Sequence, residues 1–216
     1  MTILNLYVSP ERAIMAVDTF LVEALPGGEY GRPLGHVAKL YCFERAGAVM
    51  ACRGLARMGL YLRVCLGDGD NVQTLDAIDR AIPQAFALAQ QKLLGELQSV
   101  NATWWSGPQA VRLVGWSHSR GRMVGVAFEQ AAPGAALVRE LIEDDTELAP
   151  WDDLQGDLPA GDSVEAMRQI ALAQIDFQRQ LHGERSTVGG DVQVADLTRD
   201  SVRIHLFPSA DSRGTP

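Results

Sequence analysis

Long hydrophobic runs are absent from this sequence. No stretch approaches the roughly 18–20 apolar residues that a membrane-spanning helix requires. The first residues also lack the basic flank and the uninterrupted apolar segment of a signal peptide. We therefore expect a protein that has no membrane partner and works in the cytoplasm.

Cysteine and histidine, which often hold transition metals, are scarce. The 216 residues include four histidines and three cysteines, Cys42, Cys52 and Cys65. An odd number of scattered cysteines in apolar contexts is typical of buried reduced thiols and not of a disulfide framework. The histidines lack the close repeat of zinc ligands. We expect neither a metal site nor a cofactor.

Basic residues are outnumbered by acidic ones. There are 19 Lys and Arg residues against 27 Asp and Glu residues, which gives a formal net charge of −8. Binding to a phosphate backbone depends on an excess of basic side chains, so we expect no nucleic-acid partner. The 47% apolar and 21% charged content is that of an ordinary globular protein. We expect one domain over residues 1–208 and a flexible, polar tail over residues 209–216.

Strand-like and helix-like segments alternate along the chain. Apolar runs and turn-forming residues predict strands over residues 2–8, 12–19, 37–43, 48–53, 110–117, 122–129, 191–197 and 201–207. Helical patterns predict helices over residues 55–66, 72–100 and 163–181, the last with Ser163 as its N-cap. This order predicts an α+β fold, a four-layer αββα sandwich in which two antiparallel sheets pack face to face with helices outside.

Two stretches are predicted to be loops. Residues 25–35 are rich in glycine and proline, which form turns. Residues 143–162 are acidic and contain proline, and a charge run of this kind is usually solvated. The alternative for these acidic residues is that they border an inner cavity or pore.

Thr2 directly follows the initiator methionine. If Met1 is removed, Thr2 carries a hydroxyl nucleophile and a free α-amine on one residue. An α-amine has a reference pKa of about 7.7–8.0, so near neutral pH part of it is unprotonated and can take the hydroxyl proton. A small residue after methionine is also common without any chemical role, so Thr2 gains meaning only when matching residues occur further along the chain.

Four motifs, taken in chain order, resemble the proteasome β-subunit and its bacterial relative HslV, members of the N-terminal nucleophile hydrolases. Thr2 opens the first strand, and Asp18 lies sixteen positions later at the end of the second, in an apolar-Ala-Val-Asp context. Lys39 lies on the third predicted strand, and Gly54 lies at the strand-to-helix turn within the sequence Met-Ala-Cys-Arg-Gly-Leu-Ala. The resemblance extends from Thr2 to about Leu97 and is topological beyond that point.

The resemblance implies a role for each of these residues. Thr2 would be the nucleophile, and Lys39 would place a positive charge beside its hydroxyl and hold the α-amine neutral. Asp18 would fix Lys39 through a paired charge. The backbone N–H of Gly54 would donate to the carbonyl oxygen as it becomes an oxyanion. The resemblance also implies that the specificity pocket is lined by Val37, Cys52 and Ala56.

The resemblance further implies an assembly and a substrate. Members of this family form stacked rings whose sites face inward, so we expect a homo-oligomer that hydrolyses peptide bonds in peptides or unfolded proteins. An ATP-dependent unfoldase is the partner that would deliver such substrates. The apolar pocket residues indicate a hydrophobic side chain before the cleaved bond. A bacterial side branch of the lineage, the betaproteobacterial proteasome homologue, is similar in the same respects.

The sequence departs from the family in the segments that would buttress the nucleophile. Active members carry a Gly-Ser-Gly turn after the middle hairpin, where residues 131–134 read Ala-Ala-Pro-Gly. They also carry an aspartate where this chain has Arg185, and Ser186, Thr187 or Glu184 are the candidates to replace it. Two alternatives to a threonine peptidase therefore stay open. One is a catalytically inactive ring subunit with a structural or binding role, and the other is an amidase of the same fold that acts on a small molecule.

Overall fold

The computed structural model describes residues 2–24, 30–67, 69, 72–99, 107–149, 158–183 and 186–209. The strands are β1 Leu4–Val8, β2 Arg12–Asp18, β3 Phe20–Ala24, β4 Tyr30–His36, β5 Leu40–Phe43, β6 Ala48–Arg53, β7 Gln109–Ser117, β8 Arg122–Gln130, β9 Val138–Ile142, β10 Asp145–Glu147, β11 Val192–Thr198 and β12 Ser201–Phe207. The helices are α1 Ala56–Leu66, α2 Leu75–Ser99 and α3 Val164–His182.

The strands form two five-stranded sheets and one separate ribbon. The first sheet has the order β10-β1-β2-β11-β12, and the second has the order β5-β6-β7-β8-β9. Neighbouring strands in both sheets are antiparallel. The ribbon pairs β3 with β4. The predicted mixed α+β class with antiparallel sheets is confirmed.

The apolar residues form three buried clusters. The cluster shared by the two sheets includes Leu6, Met15, Val17, Val49, Val114 and Leu197. A second cluster joins the second sheet to α1 and α2 and includes Met58, Leu62, Ile78, Phe86, Leu113 and Phe128. The third joins the first sheet to α3 and includes Ile14, Met167, Ile175 and Val194. Each sheet therefore buries one face against the other sheet and its opposite face against helices.

β2 shows why this sequence suits a strand that is covered on both sides. Side chains alternate between the two faces of a strand, and every residue from Ala13 to Asp18 is buried. Met15 and Val17 enter the cluster between the sheets, whereas Ile14 and Ala16 enter the cluster beneath α3. The run is apolar on both faces, and its last residue, Asp18, is thereby carried into the interior.

The helices agree with their predicted bounds to within three residues. The hydroxyl of Ser163 accepts the Ala166 N–H at 3.1 Å, which confirms the predicted N-cap of α3. Pro83 lies inside α2, whose helix runs through it. None of the helices in the described ranges is both long and apolar enough to cross a membrane.

The predicted strand over residues 37–43 is wrong in its first half, because β5 begins only at Leu40. The amide groups of the preceding residues are bonded elsewhere. Val37 donates to the carbonyl of Thr19 at 2.8 Å, and Lys39 donates to the Gln193 side chain at 3.0 Å. These bonds direct residues 37–39 towards the end of β2 and away from a sheet.

Both predicted loops contain strands. Tyr30–His36 is β4, although the prediction made residues 25–35 a loop. Its pairing with β3 has two register shifts, so proline and glycine are accommodated in a short irregular ribbon. In the acidic stretch, Asp145–Glu147 extends the first sheet beside β1 as β10, and residues 150–157 lie outside the described ranges.

Two further observations concern the C-terminal half. β9, Val138–Ile142, has no predicted counterpart, because three of its five side chains are exposed and its apolar alternation is weak. Ser209, the first residue of the predicted tail, is buried, and its amide donates to Asp191 Oδ1 at 2.9 Å. Residues 210–216 lie outside the described ranges.

Candidate active site

Three of the predicted site residues meet in the interior. Thr2 immediately precedes Ile3 and β1, Asp18 ends β2, and Lys39 lies one residue before β5. Lys39 Nζ lies 3.0 Å from Asp18 Oδ1 and 3.3 Å from Thr2 Oγ1. All three side chains are buried. The lysine therefore bridges a carboxylate and a threonine hydroxyl in a setting with little water to screen its charge.

Asp18 is held by backbone donors as well as by Lys39. Its Oδ1 accepts the Ile3 N–H at 2.9 Å, and its Oδ2 accepts the N–H groups of Phe20 at 3.2 Å and Gly189 at 3.3 Å. These donors come from the residue beside Thr2, from the residue after Thr19 and from the segment that leads into β11. The carboxylate therefore fixes the relative positions of three separate parts of the chain.

Burial is the largest influence on the ionisation of Asp18. Burial raises the pKa of its carboxyl above the ordinary value, and the charge and hydrogen bond of Lys39, with the amides of Ile3 and Gly189, act in the opposite direction. The charged form is therefore sustained by its partners and not by water. Losing one of those partners would favour the protonated acid.

The Lys39 ammonium group gives the Thr2 hydroxyl a specific chemical character. It donates a hydrogen bond to Oγ1, and a positive charge at that distance stabilises negative charge that develops on the oxygen. The arrangement therefore favours Thr2 Oγ1 as a nucleophile once a base removes its proton.

A small cleft borders Thr2 and contains most of the predicted site. It is lined by Thr2, Val37, Ala38, Lys39, Tyr41, Cys52, Gly54 and Ala56. Six of the seven predicted site residues are in this set, and the seventh, Asp18, bonds Lys39 from beneath it. Ala38 and Tyr41 were not predicted. Burial raises the pKa of the Tyr41 hydroxyl to about 12 and that of the Cys52 thiol to about 12, so both are neutral at physiological pH.

Gly54 lies where β6 ends and the chain turns into α1. Its φ of +120° is a backbone conformation that residues with a side chain rarely adopt. A Cβ added there would also lie 2.5 Å from Gln109 Oε1 and 2.8 Å from Gln109 Cδ. Both conformation and space therefore require glycine at this position of the cleft wall.

Sequence reasoning missed two side chains that hold the site together. Gln193 on β11 accepts the Lys39 N–H through Oε1 at 3.0 Å and so fixes the backbone of the bridging lysine. Gln109, at the start of β7, accepts the Leu55 N–H at 3.3 Å. A glutamine on a strand carries no pattern that distinguishes it from a surface residue, so the sequence held no signal for either.

The predicted substitutes for the missing buttress are only partly within the described ranges. Glu184 and Arg185 lie outside them. Ser186 is buried, and its hydroxyl donates to the Val188 carbonyl at 2.9 Å. Thr187 is buried as well. The Ser186 hydroxyl proton is thus engaged with its own loop.

Among the described residues, no group of three or more His, Cys, Asp or Glu side chains is arranged to hold a metal ion. The three cysteines are all free.

The chain matches no protein-family model, and it matches no curated protein.

Proposed function

We propose that this protein is a threonine peptidase of the N-terminal nucleophile hydrolase fold, the four-layer αββα sandwich, and that Thr2 is its nucleophile. One observation carries the proposal: Lys39 Nζ bridges Thr2 Oγ1 and Asp18 Oδ1 at 3.3 and 3.0 Å beside a small cleft. The three burial layers of the two sheets and three helices support the fold.

The proposed reaction begins with removal of Met1, which frees the α-amine of Thr2. That amine accepts the Thr2 hydroxyl proton, and Oγ1 forms a bond to the carbonyl carbon of the substrate amide. The carbonyl oxygen becomes an oxyanion, to which the backbone N–H of Gly54 donates. Lys39 stabilises the charge on Oγ1, and Asp18 holds Lys39 in place.

The tetrahedral adduct then breaks its C–N bond. The leaving amine takes the proton held by the α-ammonium group, and an ester joins the acyl group to Thr2 Oγ1. Water, deprotonated by the same α-amine, attacks the ester carbonyl. The acid product leaves, the proton returns to Oγ1, and the enzyme is restored. Each proton that the α-amine accepts is therefore passed on, either to the leaving amine or back to Thr2 Oγ1.

The cleft supports a peptide substrate with an apolar side chain before the cleaved bond. Val37, Cys52 and Ala56 line its wall, and the Cys52 thiol is neutral, so the wall carries no charge at these three positions. An apolar side chain would be transferred from water onto this wall, which favours binding by roughly 25 cal/mol for each Å² of apolar surface covered.

We further propose stacked homo-oligomeric rings that enclose the site, an unfolded-protein substrate, an ATP-dependent unfoldase partner and a cytoplasmic location. The free state of all three cysteines supports a reducing compartment. The net charge of −8 supports the absence of a nucleic-acid partner.

A second candidate function is an inactive subunit of the same fold. The observation that favours it is the hydrogen bond from the Ser186 hydroxyl to the Val188 carbonyl, which engages one predicted buttress within its own loop. In this case Lys39 and Asp18 would serve only to stabilise the chain near Thr2.

An epoxyketone tests the proposal because it reacts with a hydroxyl and a free α-amine on the same residue. Wild-type protein is expected to lack Met1 by intact mass and to gain one inhibitor mass per chain. Thr2→Ala is expected to give no adduct and no cleavage of an unfolded protein. Thr198→Ala, at the exposed last residue of β11, is the matched control and should behave as wild type.

The outcomes separate the candidates. Retained Met1 with no adduct rejects the peptidase and favours the inactive subunit. An adduct without cleavage of unfolded protein favours an amidase with a small-molecule substrate. Cleavage that persists in Thr2→Ala at the wild-type rate rejects Thr2 as the nucleophile.

A further inference from the structure

Gln109 is a buried polar side chain next to the cleft that the proposed reaction does not use. It is the first residue of β7, and only 3% of its surface is exposed. Arg53, the last residue of β6, pairs with Ala110, the second residue of β7. Gln109 therefore lies beside the point where the chain leaves β6 and enters the turn at Gly54.

The side-chain amide of Gln109 contacts both residues of that turn. Its Oε1 accepts the Leu55 N–H at 3.3 Å. The same amide occupies the space where a side chain at residue 54 would be, since a Cβ built on Gly54 would lie 2.5 Å from Oε1 and 3.0 Å from Nε2. The amide therefore packs against the Gly54 backbone while it bonds the next peptide group.

The backbone is fixed on both sides of Gly54, whose own φ and ψ would otherwise be free to change. Before Gly54 the backbone is fixed by strand pairing at Arg53, and after it the backbone is fixed by the bond from Leu55 to Gln109. Glycine by itself has a wide range of φ, so its value of +120° needs such support. Both attachments are to consecutive residues of one strand, β7.

The Nε2 atom of Gln109 makes no hydrogen bond that would stabilise the fold, because it is buried and has no partner among the described residues. A buried donor without a partner costs stability, and a leucine of similar size would avoid that cost. A costly buried polar group beside a cleft is typical of a site that gives up stability for function.

We propose that Gln109 is a positioning residue: through Oε1 it holds the Gly54–Leu55 turn so that the Gly54 N–H donates to the oxyanion of the transition state. This inference rests on the proposed function of Thr2. It assigns Gln109 no contact with the substrate. Because the oxyanion forms only in the transition state, loss of the clamp lowers kcat and leaves KM nearly unchanged.

The test uses three variants of the full-length protein. Gln109→Leu keeps the volume and removes the acceptor, whereas Gln109→Glu keeps an acceptor oxygen for the Leu55 N–H. The matched control is Gln130→Leu. Gln130 is the cross-strand neighbour of Gln109, is equally buried, and bonds Gln90 and the Ala135 carbonyl away from the turn.

Peptide hydrolysis, thermal unfolding and hydrogen exchange of the Leu55 amide are measured on each. Gln109→Leu is expected to lower kcat at least about tenfold with KM within about twofold, the size of effect that a weakened oxyanion donor produces. Its Tm is expected to change little, because loss of the unpaired Nε2 offsets loss of the acceptor for the Leu55 N–H, and its Leu55 amide is expected to exchange faster. Gln109→Glu is expected to restore most of kcat and the slow exchange. Gln130→Leu is expected to lower Tm and keep kcat.

A loss of kcat in Gln109→Leu that Gln130→Leu matches, or that tracks a fall in Tm, overturns the positioning role. A kcat of Gln109→Leu equal to that of wild type also overturns it. Inactivity of Gln109→Glu with slow Leu55 exchange does the same. If wild-type protein neither cleaves peptides nor forms the epoxyketone adduct, the proposed function has failed. Leu55 exchange then decides the clamp alone: unchanged exchange in Gln109→Leu rejects it, and faster exchange that Gln109→Glu reverses supports it.

Discussion

Lys39 and Asp18 form a buried ion pair, with Nζ 3.0 Å from Oδ1 and side-chain exposures of 8% and 0%. Removing one partner of such a pair leaves the other charge in a poorly solvated site, which typically costs about 3–5 kcal/mol. Loss of either residue alone is therefore expected to destabilise the folded protein. This dependence makes the pair a sensitive point for both folding and chemistry.

Lys39→Met and Asp18→Asn are each expected to reduce peptide cleavage at least about 100-fold, because the first removes the charge beside Thr2 Oγ1 and the second frees the lysine to move. Steady-state kinetics on one peptide would measure the loss. Asp196→Asn, which breaks the more exposed pair with Arg12, is the control and should stay near the wild-type rate. Full activity in Lys39→Met would contradict the mechanism.

Cys52 is expected to resist alkylation in the folded protein. Its thiol lines the cleft, but burial raises its pKa to about 12, so at pH 8 only about one molecule in 10,000 carries the reactive thiolate. The thiolate fraction rises with pH towards the pKa, so labelling by iodoacetamide should accelerate about tenfold for each pH unit above 8. Peptide mapping by mass spectrometry would show it. Rapid labelling at pH 8 before urea is added would contradict the burial.

Glu147→Gln is expected to lower the free energy of unfolding by about 1–3 kcal/mol. Glu147 on β10 bonds the buried guanidinium of Arg112 on β7 through Nε at 2.7 Å, and so links the two sheets. Urea denaturation would measure the change. Asp79→Asn, in the more exposed pair with Arg139, is expected to cost only about 0–1 kcal/mol. Equal losses in the two variants would show that burial gives the first pair no special weight.

Gly190→Ala is expected to destabilise the protein more than Gly121→Ala. Both glycines have positive φ, +71° and +66°, so each alanine would pay the same conformational cost of about 1–2 kcal/mol. A Cβ at Gly190 would also clash with the His36 ring, whereas at Gly121 it would meet no atom within 4 Å. Thermal unfolding would compare them. The excess cost should shrink in Gly190→Ala/His36→Ala, and an undiminished excess would exclude the ring as its source.

The sequence predicted those features that depend on a local pattern of residue types. The apolar run of β2 predicted a strand, and Ser163 predicted a helix cap, because strand pairing and capping leave local patterns. The meeting of Thr2, Asp18 and Lys39 was anticipated through a resemblance and not through periodicity.

Features that depend on hydrogen bonds between residues distant in sequence could not be predicted. Val37 and Lys39 look like strand residues, but their amides bond Thr19 and Gln193, which are distant in sequence. Gln109 supports the turn at Gly54 only because β7 lies beside β6. Tertiary partners of this kind leave no local trace, so they appear only when the sheets are assembled.

The pairing of β2 with β11 has a consequence for the order of events during synthesis. Asp18 lies opposite Val192, and Asp18 and Lys39 are held by Gly189 and Gln193. A ribosome releases Thr2, Asp18 and Lys39 well before these two supports. Thr2 therefore lacks its full setting until β11 has emerged and paired with β2, and under the proposed function a nascent chain would be protected from its own chemistry until then.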